Sequence, residues 1–182
     1  MCELEIGAWA QREFGGCDLG DARRTRRLVK VASDAAAAPD ASLPAQAEGW
    51  TDLKAAYRLF DAQGVTFARV ASPHWERTKS RTEGTWLVLG DTTEIDFGHC
   101  REAEGLGPVG KGVGRGFLLH SGLMVDPEGG VLGLAGQVVR YRKPAPQGER
   151  SYQTLRRDRE SLVWGELVEQ IGPPAEGVRF IH

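Results

Sequence analysis

The chain has 182 residues, 41% hydrophobic and 26% charged, with a formal net charge of −2. That balance excludes a wholly disordered chain, and the apolar runs are too short to cross a bilayer, so no membrane is expected. A net charge near zero argues against blanket electrostatic binding of nucleic acid, yet it averages away any local basic face. The acidic start, Met1-Cys-Glu-Leu-Glu-Ile, lacks the basic and apolar stretches of a signal peptide. Cys2, Cys17 and Cys100 are odd in number and widely spaced, with no CxxC pair and no histidine at zinc-ligand spacing. Reduced thiols in a cytoplasmic protein follow.

Up to about residue 80 the pattern is helical. Asp21 is the N-cap or first-turn acid of a helix that runs from Ala22 to about Ala38 and stops at Pro39. Leu28, Val31, Ala32 and Ala35 share one face, while Arg23, Arg24, Arg26, Arg27 and Lys30 cover much of the rest. Four arginines in five residues, without acids beside them, suit phosphates and guanine edges, because the guanidinium fork matches both. A solvated helix face is the competing reading. A second helix is predicted over Trp50–Phe60, with Leu53, Ala56, Tyr57 and Phe60 on its apolar face. A third is predicted over Phe67–Arg81, with Pro73 at or near a break.

After residue 84 the pattern turns to strands. Thr85-Trp-Leu-Val-Leu-Gly is a short apolar run ending at Asp91. A carboxylate directly after a buried strand must be paired or meet a cation, and Mg²⁺ takes few carboxylates plus water and phosphate. The same residues, Asp91-Thr-Thr-Glu-Ile-Asp, also suit a strand-ending turn. Gly105-Leu-Gly-Pro-Val-Gly spells GxGxxG, but no strand precedes it and no helix opens within it, so a loop between strands is expected. Phe117–Val125 and Val131–Val139 flank Asp126-Pro-Glu-Gly-Gly, a hairpin signal. His120, alternating with apolar neighbours, reads as a packed, hydrogen-bonded histidine. Trp9, Trp50, Trp75, Trp86 and Trp164 read as core or interface rather than base-stacking platforms. A helix from about Tyr152 to Ile171 is closed by Gly172-Pro-Pro, and Gly177-Val-Arg-Phe-Ile-His starts another strand.

In order, Leu19-Gly-Asp-Ala-Arg-Arg-Thr-Arg-Arg-Leu, Ala56-Tyr-Arg-Leu-Phe, Asp91-Thr-Thr-Glu and Arg115-Gly-Phe-Leu-Leu-His-Ser resemble bacterial cut-and-paste transposases of the transposon-five type, the insertion-sequence-four family. The likeness covers nearly the whole chain, and the ordered series with matching gaps is what makes it specific. It implies an α/β (α+β) chain: a helical, transposon-end DNA-binding domain over residues 1–80, then the first part of an RNase H-like core over 85–182. In the family that core carries an Asp-Asp-Glu triad holding two Mg²⁺ or Mn²⁺ ions. By position, the resemblance places Arg23, Arg24, Arg27, Lys30 and Arg58 in or near the DNA contact, with Arg24 and Arg27 foremost. Asp91 matches the first catalytic, metal-ligating acid, at the end of the first core strand. The second Asp and the Glu of the motif fall beyond His182.

The expected function is that of a truncated transposase that binds double-stranded insertion-element ends, is not catalytic alone, and self-associates. A non-catalytic repressor of transposition is the alternative. A self-contained metal-dependent hydrolase using Asp91, Glu94 and Asp96 is a third reading, weakened because three acids on one short segment cannot surround two metals.

Overall fold

The computed structural model of the chain describes residues 3–80, 83–98, 103–110, 114–143, 146–148, 150, 152–153 and 161–182. The chain divides into two compact units, Met1–His74 and Trp75–His182.

The first unit is helical. Helix α1 (Glu3–Phe14) has no counterpart among the predicted elements; its Ile6 and Ala10, four residues apart, are the buried positions. Helix α2 (Ala22–Ala37) starts where expected: the carboxylate of Asp21, in extended conformation, accepts the Arg23 N–H at 2.8 Å. That cap satisfies one of the orphan donors at the helix start and is worth about 1 kcal/mol. A single turn, α3 (Leu43–Gln46), precedes α4 (Trp50–Phe60), and α5 (Phe67–Ser80) follows. Cys17, Leu19, Leu28 and Leu59 form the centre of this unit, with Phe14, Val65 and Val70 packed around them.

Two helical expectations need correction. The buried face of α4 is Leu53, Ala56 and Leu59, not the face that includes Tyr57 and Phe60, which are exposed. Leu59 completes the 3-3 spacing that places one edge of the helix against α2; Tyr57 and Phe60 flank that edge. Pro73 does not break α5, which continues through it to Ser80.

The second unit is a mixed sheet under one helix. Strand β1 (Thr85–Asp96) pairs antiparallel with β3 (Gly114–Val125), which pairs antiparallel with β4 (Val131–Arg140). The hairpin turn is fastened by Asp126, whose carboxylate accepts the Gly130 N–H at 2.6 Å, and Gly129 supplies a φ of +92°. Strand β2 (Gly107–Val109) lies inside the segment expected to be a loop and pairs with residues 114–116 of β3, on the edge that β4 takes further along. Part of the GxGxxG run is therefore in a strand, and no helix opens within it. The helix expected from Tyr152 is helical at Tyr152 and Gln153 and again over helix α6 (Ser161–Ile171); residues 151 and 154–160, with Asp158 and Glu160, lie outside the described residues. Gly172, at φ +75°, ends it, its N–H bonding to the Val168 carbonyl. Strand β5 (Arg179–Ile181) then pairs parallel to β1, Thr85–Leu87.

Alternation along the strands sorts the side chains into two faces. Val88, Met124 and Ala135 face α6 and form the core with Leu167 and Ile171. Gly90, Gly122 and Gly136 are register partners across β1, β3 and β4 and make a glycine lane along which α6 lies. A Cβ on Gly90 would meet the Trp164 ring at 2.5 Å, and one on Gly122 would meet Ile171 at 3.0 Å. The helix approaches the sheet this closely only because that lane has no side chains.

Candidate nucleic-acid interface

The basic cluster sits on α2, where 3-4 spacing puts Arg23, Arg26, Arg27 and Lys30 on one face. The chain does match these cations with acids, contrary to the reading of the segment as unmatched. The acids come from the cap, from the next turn of α2, and from Glu48 and Asp52 at and just before the start of α4. Arg23 pairs with the cap residue Asp21 at 3.0 Å, and Arg27 reaches Asp52 on α4 at 2.7 Å. Lys30 lies 3.2 Å from Asp34, 3.4 Å from Glu48 and 3.6 Å from Asp52. Hydrogen bonding from Arg23 holds the Asp21 carboxyl below its ordinary range, and hydrogen bonding from Arg27 does the same for Asp52. Burial pulls the Lys30 ammonium down, but Asp34 and Glu48 outweigh it and leave its pKa raised.

Arg24 points to the other side of α2. One guanidinium nitrogen donates to the Leu19 carbonyl at 3.0 Å, bracing the Cys17–Gly20 entry to the helix. The neighbouring Thr25 hydroxyl donates to the Cys17 carbonyl at 2.8 Å. Arg58 is exposed on α4, one turn beyond the exposed Lys54. Thus Arg27 and Lys30 are held against acids, Arg24 is held against backbone, and Arg23, Arg26 and Arg58 are exposed.

Trp50, expected in the core or at an interface, is 73% exposed at the first position of α4 and so is not core; the other four tryptophans are buried or half-buried.

Asp91 belongs to the sheet unit. Strand β1 does not end there but runs on to Asp96, so Asp91 is a mid-strand residue opposite Ser121. The β-branched Thr92, Thr93 and Ile95 carry the strand onward. The Asp91 side chain is exposed and accepts the Thr93 hydroxyl at 3.2 Å. Its row continues through Ser121 to Gln137, which donates to the Ser121 hydroxyl at 3.0 Å. Glu94 and Asp96 lie on the opposite face: Glu94 pairs with Arg142 at 2.9 Å, and Asp96 accepts the N–H groups of Gly98 and Arg115. The three acids therefore do not converge on one face of β1. Among the described residues Asp91 supplies one carboxylate to its row, whereas a two-ion site takes ligands from several elements. His120 behaves as expected: 1% exposed, Nδ1 2.8 Å from the Thr92 hydroxyl, its ring edge-on to Trp164.

No described helix is long and apolar enough to cross a membrane. Residues 6–65 match the transposase DNA-binding family model. The match spans α1 to α4, including the whole basic face of α2, and stops before the sheet. The match supports a transposase-type N-terminal region and DNA as its partner.

Proposed function

We propose that this chain is a transposase-derived DNA-binding protein of a cut-and-paste insertion element of the transposon-five type, and that its 182 residues bind the element's ends without cutting them. The observation that carries this reading is the coincidence of the family match over residues 6–65 with one basic helix face inside it. Arg23, Arg24, Arg27, Lys30 and Arg58 meet the phosphates. Each guanidinium has five donors, so Arg24 and Arg27 keep donors for DNA after bonding Leu19 and Asp52. Those bonds fix their positions before DNA arrives and reduce the ordering cost of binding. The sheet unit is the first part of an RNase H-like core, with Asp91 in the place of the first metal-ligating acid.

A second reading, a repressor that occupies ends and keeps active transposase off them, is favoured by one observation: among the described residues the row of Asp91 runs on to Ser121 and Gln137 and holds no second acid. Selection from a random-sequence duplex library with the full chain tests the DNA reading. Recurrence of one motif is the expected result, and an unenriched library would contradict it.

A further inference from the structure

The inner face of α4 is complete: Leu53, Ala56 and Leu59 bury it, and nothing on the opposite face is needed to hold the helix. The solvent-exposed side of α4 carries Trp50, Lys54, Tyr57 and Arg58. At intervals of four, three and one residues they form a single stripe about two turns long. Trp50 is 73% exposed and Tyr57 45%, and both cations are exposed with them. Between Trp50 and Arg58 the stripe holds no acid; the exposed cap residue Asp61 stands at its far end, and Asp52 lies on the side that meets α2, where Arg27 engages it. A merely solvated face would alternate charges of both signs without large rings.

We propose that this stripe is a DNA-contact line, in which Lys54 and Arg58 meet successive phosphates and the rings of Trp50 and Tyr57 pack on sugars and base edges between them. The inference rests on the DNA-binding reading and adds Trp50, Lys54 and Tyr57 to it. Charge decides the occupant. Lys54 and Arg58 are one helical turn apart, about 6 Å, a spacing at which a strand of DNA offers anion after anion. A second copy of the chain laid on the same stripe would oppose cation to cation. Aromatic rings suit DNA because their faces stack without demanding hydrogen bonds, and cations beside them add to the attraction.

The two kinds of contact have different signatures in salt. Removing a cation from a phosphate shallows the dependence of affinity on salt, whereas removing a ring lowers affinity equally at every salt concentration. The test titrates the full chain, and its Trp50→Ala, Trp50→Phe and Lys54→Ala variants, with a short random-sequence duplex across a salt series. Trp50→Ala should weaken binding about tenfold with an unchanged slope. Trp50→Phe should keep most of the affinity, and Lys54→Ala should reduce the slope by about one. Thermal melts of the variants check the fold, which an exposed position should leave intact. Acrylamide quenching of tryptophan emission, high in the free chain, should fall on adding the duplex and show no such change in Trp50→Ala. Wild-type affinity in Trp50→Ala overturns the proposal while leaving the DNA reading standing. Loss of self-association in that variant, with DNA binding unaltered, would hand the stripe to a second copy and overturn it too. Failure of the wild-type chain to bind the duplex removes both this proposal and the reading beneath it.

Discussion

Arg27 on α2 and Asp52 on α4, twenty-five positions apart in sequence, meet at 2.7 Å. The bond ties the middle of the basic helix to the first turn of the next, and it lowers the Asp52 pKa. A carboxylate whose pKa is lower folded than unfolded contributes stability that is present above the unfolded value and is lost as pH falls through the folded one. The chain should therefore lose stability to acid below about pH 4, the ordinary carboxylate range. Asp52→Asn should be less stable than wild type at neutral pH and converge with it in acid. Urea unfolding midpoints measured against pH check this; curves that stay parallel would show that the pair contributes nothing.

Gly90 lies under the Trp164 ring with no space for a side chain. Gly90→Val supplies a residue that strands otherwise favour, so the steric conflict is isolated from propensity. The substitution should cost about 1–3 kcal/mol in chemical denaturation, the usual penalty for overpacking. An unchanged midpoint would mean that α6 does not rest on the glycine lane.

Among the described residues the Asp91 row holds no second acid, only Ser121 and Gln137, so it offers a divalent ion one carboxylate. In-line strand cleavage by two metals needs both the attacking and the leaving oxygen clamped. Purified chain incubated with Mn²⁺ and an end-bearing duplex should leave the duplex intact, as should Asp91→Ala. Nicking by wild type that vanishes in the variant would show a working site and end the non-catalytic account.

Leu89 is 51% exposed and Val131 68%, both on the sheet face turned away from α6. Leu123 and Leu134 continue the Leu89 row across the sheet. Exposed apolar sheet surface favours association. Sedimentation velocity should show mass rising with concentration, and Leu89→Lys should suppress the rise. A monodisperse wild-type monomer over the same range would contradict this.

The elements legible in the sequence are those with local causes. Asp21 and the apolar spacing that follows it announce α2, Asp126 to Gly130 announce the hairpin, and Gly172-Pro-Pro announces the end of α6. Helix α1 is not legible because its two buried residues are too few to set a period. Strand β2 is hidden in a glycine-rich run whose order comes from pairing with β3. At the interface, the arginines are legible as composition. Their acids are not, because Asp52 and Glu48 arrive through the packing of α4 beside α2. Trp50 reads as core or interface for a related reason: which side of α4 faces inward is settled by Leu59, outside the face that the pattern suggests.

The central claim is that the cations of α2 hold the end of an insertion element. Arg24→Ala combined with Arg27→Ala tests it most directly, measured by fluorescence anisotropy on the duplex recovered by selection, between about 50 and 200 mM salt. Wild-type affinity should fall steeply across that range. The double variant should bind more weakly, by about 1–3 kcal/mol for each arginine that reads a base, or with a slope smaller by about one for each phosphate no longer neutralised. Equal affinity and equal slope for the two proteins would contradict the claim.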